Sequence, residues 1–441
     1  MTLTPQGYRP RLIEKEIDRS LRSFGAVCIT GPKYSGKTWV GLSRSNSAFM
    51  LGDIDEYGVS NRELAETSIR LALDGETPHL IDEWQEIPLI WDAVRSEVDR
   101  THTKGSFILT GSSTPKDRTP VHSGTGRIRY VRMGTMSLYE SGDSSGDVSL
   151  STIMNGDDIN SACNDVSLES LVDHVISGGW PGNLDMTPEE RRIAVSGYLD
   201  SAIADACNID GVRRKESSFR LVVRSLARNE CTLASLSKIH TDTGVPMDGS
   251  QSLILDGPGS SRPGLSYDTV ADYTDVLRRL YLIEDQPAFD PNLKSSVRVG
   301  MTAKRHFTDP SLAAAALGAG RERLMKDLVT FGYLFESLCE RDLRIYAESI
   351  EAKLFHYRDS TGMEVDAIIE MDDGTWGAFE IRLGAGKIGQ AAESLLKFRD
   401  AMERRGASSM PSILCVICGL TDRAYRRDDG VYVVPITALR P

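Results

Sequence analysis

Between Ala26 and Thr38 the chain reads Ala-Val-Cys-Ile-Thr-Gly-Pro-Lys-Tyr-Ser-Gly-Lys-Thr. Gly31 and Gly36, followed by Lys37 and Thr38, form G-x-x-x-x-G-K-[ST] directly after a short apolar run, a strand-then-helix context. These residue types suit an anion. Glycines let the backbone wrap around it, while N–H groups of the loop and of the following helix point inward. Lys37 brings positive charge to terminal phosphates, and the Thr38 hydroxyl can ligate Mg²⁺. Gly31, Pro32, Lys33, Tyr34, Ser35, Gly36, Lys37, Thr38 and Trp39 are therefore the expected nucleotide contacts, with ATP and Mg²⁺ as cofactors. Lys33 and Tyr34 fill positions the motif leaves open.

A second polar pair follows at the end of His79-Leu80-Ile81-Asp82-Glu83, expected on a parallel strand beside the first. Asp82 would hold Mg²⁺ through water, and Glu83 would orient and deprotonate an attacking water. Adjacent acids after an apolar run can also simply cap the next helix. Phe107–Ser113 predicts a third strand ending in Thr-Gly-Ser-Ser, where Ser112 is the candidate sensor of the terminal phosphate. Arg127, Arg129 and Arg132 alternate or nearly so after Gly124. They can be a solvated strand face, or they can include an arginine finger acting across a subunit boundary, for which Arg127 is the candidate. That second reading implies a homo-oligomer.

The elements that must position these residues show in the rhythm of the chain. From about Arg22 to Met136 short apolar runs alternate with helix-like stretches, the pattern of βα units around a parallel sheet. Ile90, Val94 and Val98 recur at helical spacing and predict the crossover helix between the second and third strands. Residues 1–140 are expected to form this α/β unit. Residues 141–165, rich in Ser, Gly, Asp and Asn, read as a linker or long loop. Residues 166–325 turn helical, interrupted by the Gly/Ser/Pro-rich patch Asp256–Gly264, and residues 326–441 read as a separate α/β domain.

Taken together, GPKYSGKT, LIDEWQEIP, ILTGSS, Gly126-Arg127 and MGTMSLYES resemble the prokaryotic AAA-type (AAA+-like) ATP-binding proteins that carry a C-terminal domain of unknown function. The resemblance continues through GGWP (Gly178–Pro181), RHFTDPSLAAAALG, GYLFESL, HYRDSTGMEVDAIIE and GVYVVPI, nearly the whole chain. It implies a P-loop ATPase core, a helical middle with a winged-helix-like part, and a last domain similar to restriction-endonuclease-type nucleases. Such a nuclease needs carboxylates that hold Mg²⁺ and a lysine near the activated water. Asp366 and Glu380 on two strands, with Glu336 on the preceding helix, are the candidate ligands of a second metal site. Arg382 stands where the lysine should be. A guanidinium stays protonated and cannot replace a tunable lysine, so the domain is expected to be a degenerate fold that binds nucleic acid or protein; an active, ATP-licensed DNA nuclease and a solvated sheet face of paired charges are the alternatives.

Arg213, Arg214, Lys215, Arg220, Arg224 and Arg228 form a basic cluster in the helical middle. Arg220, Arg224 and Arg228 share a helix face that can meet DNA backbone, an acidic partner or solvent. Cys415 and Cys418 point to opposite faces of an apolar strand, which suits core thiols rather than a metal pair. His306 and His356 read as packing or hydrogen-bonding residues. With 51 Lys and Arg against 63 Asp and Glu the net charge is −12, which excludes a surface that coats nucleic acid indiscriminately. Scattered cysteines, no apolar run of membrane-spanning length and a charged beginning point to a cytoplasmic chain without a membrane partner.

Overall fold

The computed structural model describes residues 3–54, 58–114, 123–244, 264–296, 298 and 301–441. The patch Asp256–Gly264 lies, save for Gly264, outside the described residues. The chain divides into two compact units. The first comprises Met1–Ser141 together with Gly179–Leu184 and Arg279–Tyr281; the second comprises Gly142–Gly178, Asp185–Arg278 and Leu282–Pro441. The helical middle and the final third, expected to be separate, thus share one unit, and two short stretches of the middle return to the first.

Five strands build the first unit: β1 (Ala26–Thr30), β2 (Ser47–Met50), β3 (His79–Asp82), β4 (Phe107–Gly111) and β5 (Ile128–Arg132). They pair in parallel in the order β2-β3-β4-β1-β5. Alternation along each strand divides the core between two faces. Ala26, Cys28, Ile81 and Leu109 pack with Trp84, Trp91 and the helix Leu89–Thr101 on one side. Val27, Ile29, Leu80 and Ile108 pack with Ile17 and Val40 on the other. β4 stands between β1 and β3, so the strand bearing Asp82 is one place removed from β1 rather than its direct neighbour. The crossover helix carries the chain back into that gap, burying Ile90, Val94 and Val98 as their spacing predicts.

The second unit begins inside the expected linker. β6 (Val148–Ser149) pairs with the chain's last strand, and β7 (Asn160–Ala162) adds an edge to the large sheet. Polar composition hides such strands, because an edge strand needs backbone hydrogen bonds more than apolar side chains, and β7 alternates exposed and half-buried. Helices follow at Leu168–Ser177, Pro188–Asn208, Glu216–Arg228, Leu236–Thr243 and Tyr267–Arg279, then the antiparallel pair β8 (Ile283–Gln286) and β9 (Lys304–Phe307). After the helices Pro310–Leu317 and Leu328–Ser349 come β10 (Lys353–Arg358), β11 (Glu364–Glu370), β12 (Trp376–Gly384), β13 (Ile413–Leu420), β14 (Arg423–Arg426), β15 (Tyr432–Pro435) and β16 (Leu439–Arg440). The large sheet runs β10-β11-β12-β13-β15-β14-β7 and carries the helix Ile388–Arg404 on one face. Among the described residues no helix is long and apolar enough to cross a membrane.

Trp376 anchors that face. It is fully buried, its ring centroid lies 4.8 Å from Phe289 and 6.1 Å from Phe398, and its indole N–H donates to Ser409 Oγ at 2.9 Å. Trp376→Ala is expected to cost about 3–5 kcal/mol in the unfolding transition of the second unit, measured by urea denaturation followed by circular dichroism.

Candidate functional site

The glycine-rich loop leaves β1 at Thr30. Met133 N–H donates to Thr30 O at 2.7 Å, which brings the Met133 carbonyl against Gly31. A Cβ at Gly31 would sit 2.0 Å from that oxygen, so only glycine fits. Gly36 caps the helix Lys37–Ser43 with φ 96°, a left-handed backbone that glycine adopts freely. A Cβ there would lie 3.5 Å from Pro181 Cγ and 3.7 Å from Arg11 Nη1. Ser35 Oγ donates to Pro32 O at 2.9 Å, and Lys37 Nζ, buried, donates to the same carbonyl at 2.7 Å. Burial pushes the Lys37 ammonium down to about 8, against the opposing pull of the Glu83 and Asp82 charges.

Arg11 reaches the loop from the other side. Its Nη1 donates to Ser35 O at 2.8 Å, its Nη2 to Gly134 O at 3.1 Å and Thr135 O at 2.9 Å, and its Nε to Glu140 at 3.0 Å. Glu140 also accepts from Leu12 N–H, Ser137 N–H and Ser137 Oγ. Burial would raise its carboxyl, but the Arg11 charge and these donors hold it below its ordinary value. No motif marks Arg11: apart from Ser35, its side-chain partners lie more than a hundred residues away in the sequence.

The acidic side of the site comes from the C-terminal ends of β3 and β4. Asp82 Oδ1 accepts from Thr38 Oγ1 at 2.8 Å and from Thr110 Oγ1. Thr110 Oγ1 in turn accepts the Glu83 N–H at 3.1 Å, with Glu83 in a left-handed backbone at φ 58°. Glu83 Oε2 accepts from Ser112 Oγ at 2.8 Å and from the Gln85 amide. Burial raises the Asp82 carboxyl, moderated by the hydroxyls of Thr110 and Thr38. A hydroxyl and a carboxylate within 2.8 Å of one another are hard oxygen donors, the set that suits Mg²⁺ bound through few protein ligands.

Most of the expected residues therefore converge, and several do not. Lys37, Thr38, Asp82, Glu83 and Ser112 form one connected group, to which Thr110, Gln85 and Arg11 are added. Thr110 stands inside Ile-Leu-Thr-Gly-Ser-Ser, and strand alternation alone does not distinguish it from Ser112. Tyr34 and Trp39, at 79% and 45% exposure, face outward, and Lys33 is likewise exposed. Arg127 does not join this group within its own chain. Ala26 N–H bonds to Arg127 O, at the start of β1 and β5, whereas the loop leaves their other end, where Thr30 pairs with Arg132. Five residues of strand, about 16 Å, separate Arg127 from its own chain's loop. Its guanidinium is engaged by Asp99 at 2.7 Å. Arg132 is the arginine at the loop end, with its guanidinium 5.6 Å above the Tyr281 ring.

In the second unit Glu336, Asp366 and Glu380 also come together, but as partners of cations. Arg382 bridges Asp366, at 2.9 Å, and Glu380, and Asp366 also accepts the Ile381 N–H at 2.8 Å. A permanently charged fork thus stands where a second Mg²⁺ would bind, and the residues do not fit that ion. The expected site is corrected accordingly. Burial raises Glu380 to about 8 and Glu336 to about 7. A lysine is present after all: Lys304 of β9, fully buried, donates to Glu336 and, at 2.7 Å, to Glu340. It lies outside the E-x-K spacing, so the strand motif does not disclose it.

Three members of the basic cluster of the middle region are ion-paired. Arg214 is buried against Asp272 at 2.8 Å, Arg220 pairs with Asp200 and Glu216, and Arg228 with Asp242. Cys415 and Cys418 are buried thiols of β13.

Comparison with known proteins gives three family matches. Residues 23–141 match the AAA domain, residues 168–323 a domain of unknown function (DUF8612), and residues 331–439 another (DUF4143). The first unit accordingly contains a P-loop AAA-type nucleotide-binding domain. No curated protein matches the chain in sequence. Among solved structures, the Walker-type ATPase of Pyrococcus abyssi is 12% identical over 71% of this chain and 97% of its own, with TM-score 0.42. AMPPCP-bound DnaA from Aquifex aeolicus is 12% identical over 60% and 86%, with TM-score 0.25. A DNA replication initiation factor is 14% identical over 61% and 92%, with TM-score 0.25.

Removing one member of a buried ion pair leaves the other uncompensated. Arg11→Ala is expected to destabilise the first unit by about 3–5 kcal/mol and to weaken nucleotide binding. Arg11→Met combined with Glu140→Leu should recover much of the stability, a coupling that a double-mutant cycle in thermal melts measures.

Proposed function

We propose that the first unit binds Mg²⁺-ATP and hydrolyses its terminal phosphoanhydride as a conformational switch. The observation that carries this reading is the hydrogen-bonded chain Thr38–Asp82–Thr110–Glu83–Ser112, set beside Lys37 at the C-terminal ends of three parallel strands. Phosphoryl transfer asks little covalent chemistry of a protein and depends on positioning and charge, which such a chain supplies.

The roles follow from the atoms. Backbone N–H groups of Gly31–Thr38 surround the phosphates, and the Lys37 ammonium exchanges the Pro32 carbonyl for phosphate oxygens. Thr38 and Asp82 hold Mg²⁺, which when bound offsets charge on the β- and γ-phosphates. Glu83 orients the attacking water and accepts its proton. Ser112 and Gln85 hold the Glu83 carboxylate, so Ser112 is a positioning residue for the base. Pro181, against Gly36, belongs to the stretch Gly179–Leu184, which runs into the second unit at both ends; it is the route by which nucleotide state reaches that unit.

Lys37→Ala is expected to abolish nucleotide binding. Glu83→Gln should bind ATP normally but lose about 10²–10⁴-fold in turnover. A Glu83→Gln variant that hydrolyses at the parental rate would overturn the assignment of the base.

The Lys37 value gives a pH dependence. In the free protein the ammonium loses its proton as pH rises through about 8, and only the charged form pairs with phosphate. ATP affinity is therefore expected to be level below this range and to fall by up to about tenfold per pH unit above it. Binding on the alkaline side then takes up a proton. Calorimetry in two buffers of different ionisation enthalpy measures that uptake, and Lys37→Arg should abolish it.

A further inference from the structure

Cys231, His306 and Glu340 come from three separate parts of the second unit and meet in its interior, each at most 5% exposed. Cys231 follows the helix Glu216–Arg228, His306 lies on β9, and Glu340 projects from the helix Leu328–Ser349. Cys231 Sγ is 3.6 Å from His306 Nδ1 and 3.6 Å from Glu340 Oε2, and Nδ1 is 3.1 Å from Oε2. Glu230 adds a carboxylate oxygen 3.9 Å from His306 Nδ1.

The tautomer of His306 decides what this group can be. Gln286 Nε2 donates to Phe355 O at 2.8 Å, which turns its carbonyl oxygen toward His306 Nε2 at 2.9 Å. His306 Nε2 must then carry the hydrogen, so the Nδ1 lone pair faces Cys231 and Glu340. A sulfur, an imidazole nitrogen and a carboxylate oxygen converge, with no N–H aimed among them from His306 itself.

The spacing suits a tetrahedral ion. With bonds of about 2.3 Å to sulfur and about 2.0–2.2 Å to nitrogen and oxygen, tetrahedral angles place sulfur about 3.6 Å from either of the others, and nitrogen about 3.3 Å from oxygen. The surroundings act as an outer shell: Gln286 fixes the ring, and Lys304 Nζ holds the other Glu340 oxygen at 2.7 Å, leaving Oε2 turned inward.

We propose that Cys231, His306 and Glu340, with Glu230 as fourth ligand, form a structural zinc site that fastens β9 to the two helical segments beside it. The ligand types are those of borderline-soft divalent ions, and the closed, buried surroundings leave no open position for chemistry. The site is separate from the Asp366–Glu380 pair, which Arg382 neutralises.

The full chain, stripped with chelator and re-equilibrated with Zn²⁺ in the absence of nucleotide, is expected to retain about one equivalent after gel filtration and to melt at higher temperature than the stripped form. With Co²⁺ in place of Zn²⁺, intense tetrahedral d–d bands and a thiolate-to-cobalt charge-transfer band should appear. Cys231→Ser should lose the charge-transfer band and His306→Ala the bound equivalent. Should either ligand variant fail to fold, the parental protein decides alone. Metal well below one equivalent after Zn²⁺ loading, or a cobalt spectrum without the thiolate band, overturns the proposal. Parental affinity in the folded ligand variants overturns it too.

Discussion

The buried contact between Arg11 and Glu140 sets the shape of the phosphate loop. Their side chains are 4% and 2% exposed, and removing such ions from water costs several kcal/mol each. At 3.0 Å and an effective dielectric near 20 their attraction returns only about 5 kcal/mol, so the pair alone roughly breaks even. The additional hydrogen bonds decide the balance. Arg11 gives its remaining forked N–H groups to Ser35, Gly134 and Thr135, and Glu140 accepts from Leu12 and Ser137. The lock thereby joins the entry to the first helix, the phosphate loop and the turn after β5. The loop is held before any anion arrives, and preorganisation of this kind lowers the cost of binding.

Two buried lysines show how differently the units use charge. Lys37 has a carbonyl at hydrogen-bonding distance and two carboxylates near it, and burial still pushes its pKa down. Lys304 is buried too, yet Glu336 and Glu340 contact it directly and outweigh burial, so its pKa is raised. An incompletely satisfied cation is a binding element, because an incoming anion improves its surroundings. A doubly paired one is a structural element that orients the carboxylates around it. The same residue type therefore marks a ligand site in one unit and a scaffold in the other. Arg382 between Asp366 and Glu380 follows the second pattern.

What could be read from the sequence follows how local each feature is. The loop Gly31–Thr38, the strand ending at Asp82 and the crossover stripe Ile90, Val94 and Val98 are all written within a dozen residues, and the structure contains them. Thr110 is a closer case: it lies two residues from Ser112, and only the register of β4 shows which hydroxyl faces Asp82 and which faces Glu83. Arg127 and Arg132 are alike by type, and only strand direction shows that Arg132 stands at the loop end of β5 and Arg127 at the other. β7 leaves no signal in the sequence because an edge strand is defined by backbone pairing, to which Asn-Ser-Ala gives no apolar signature. Arg11 with Glu140, Lys304 with Glu336, and Cys231 with His306 depend on contacts across dozens to more than a hundred residues, which no spacing rule within one sequence reports.

Gly178–Pro181 is intelligible only in this light. As a motif, Gly-Gly-Trp-Pro carries no obvious chemistry, yet a Cβ on Gly179 would lie 1.9 Å from Met136 O, and Gly179 O accepts the Met136 N–H at 2.7 Å. Met136 stands between Thr135 and Ser137, two residues of the Arg11–Glu140 lock. The returning stretch is thus fastened to the same turn that fixes the phosphate loop, and Pro181 stands where a Cβ on Gly36 would reach van der Waals contact with it. A packed contact without spare volume shifts as a whole or not at all. That stretch continues covalently into the second unit on both sides. The glycine that looks like a turn residue is the point where the chain, returning from the helical segment before it, packs against the turn beside the phosphate loop.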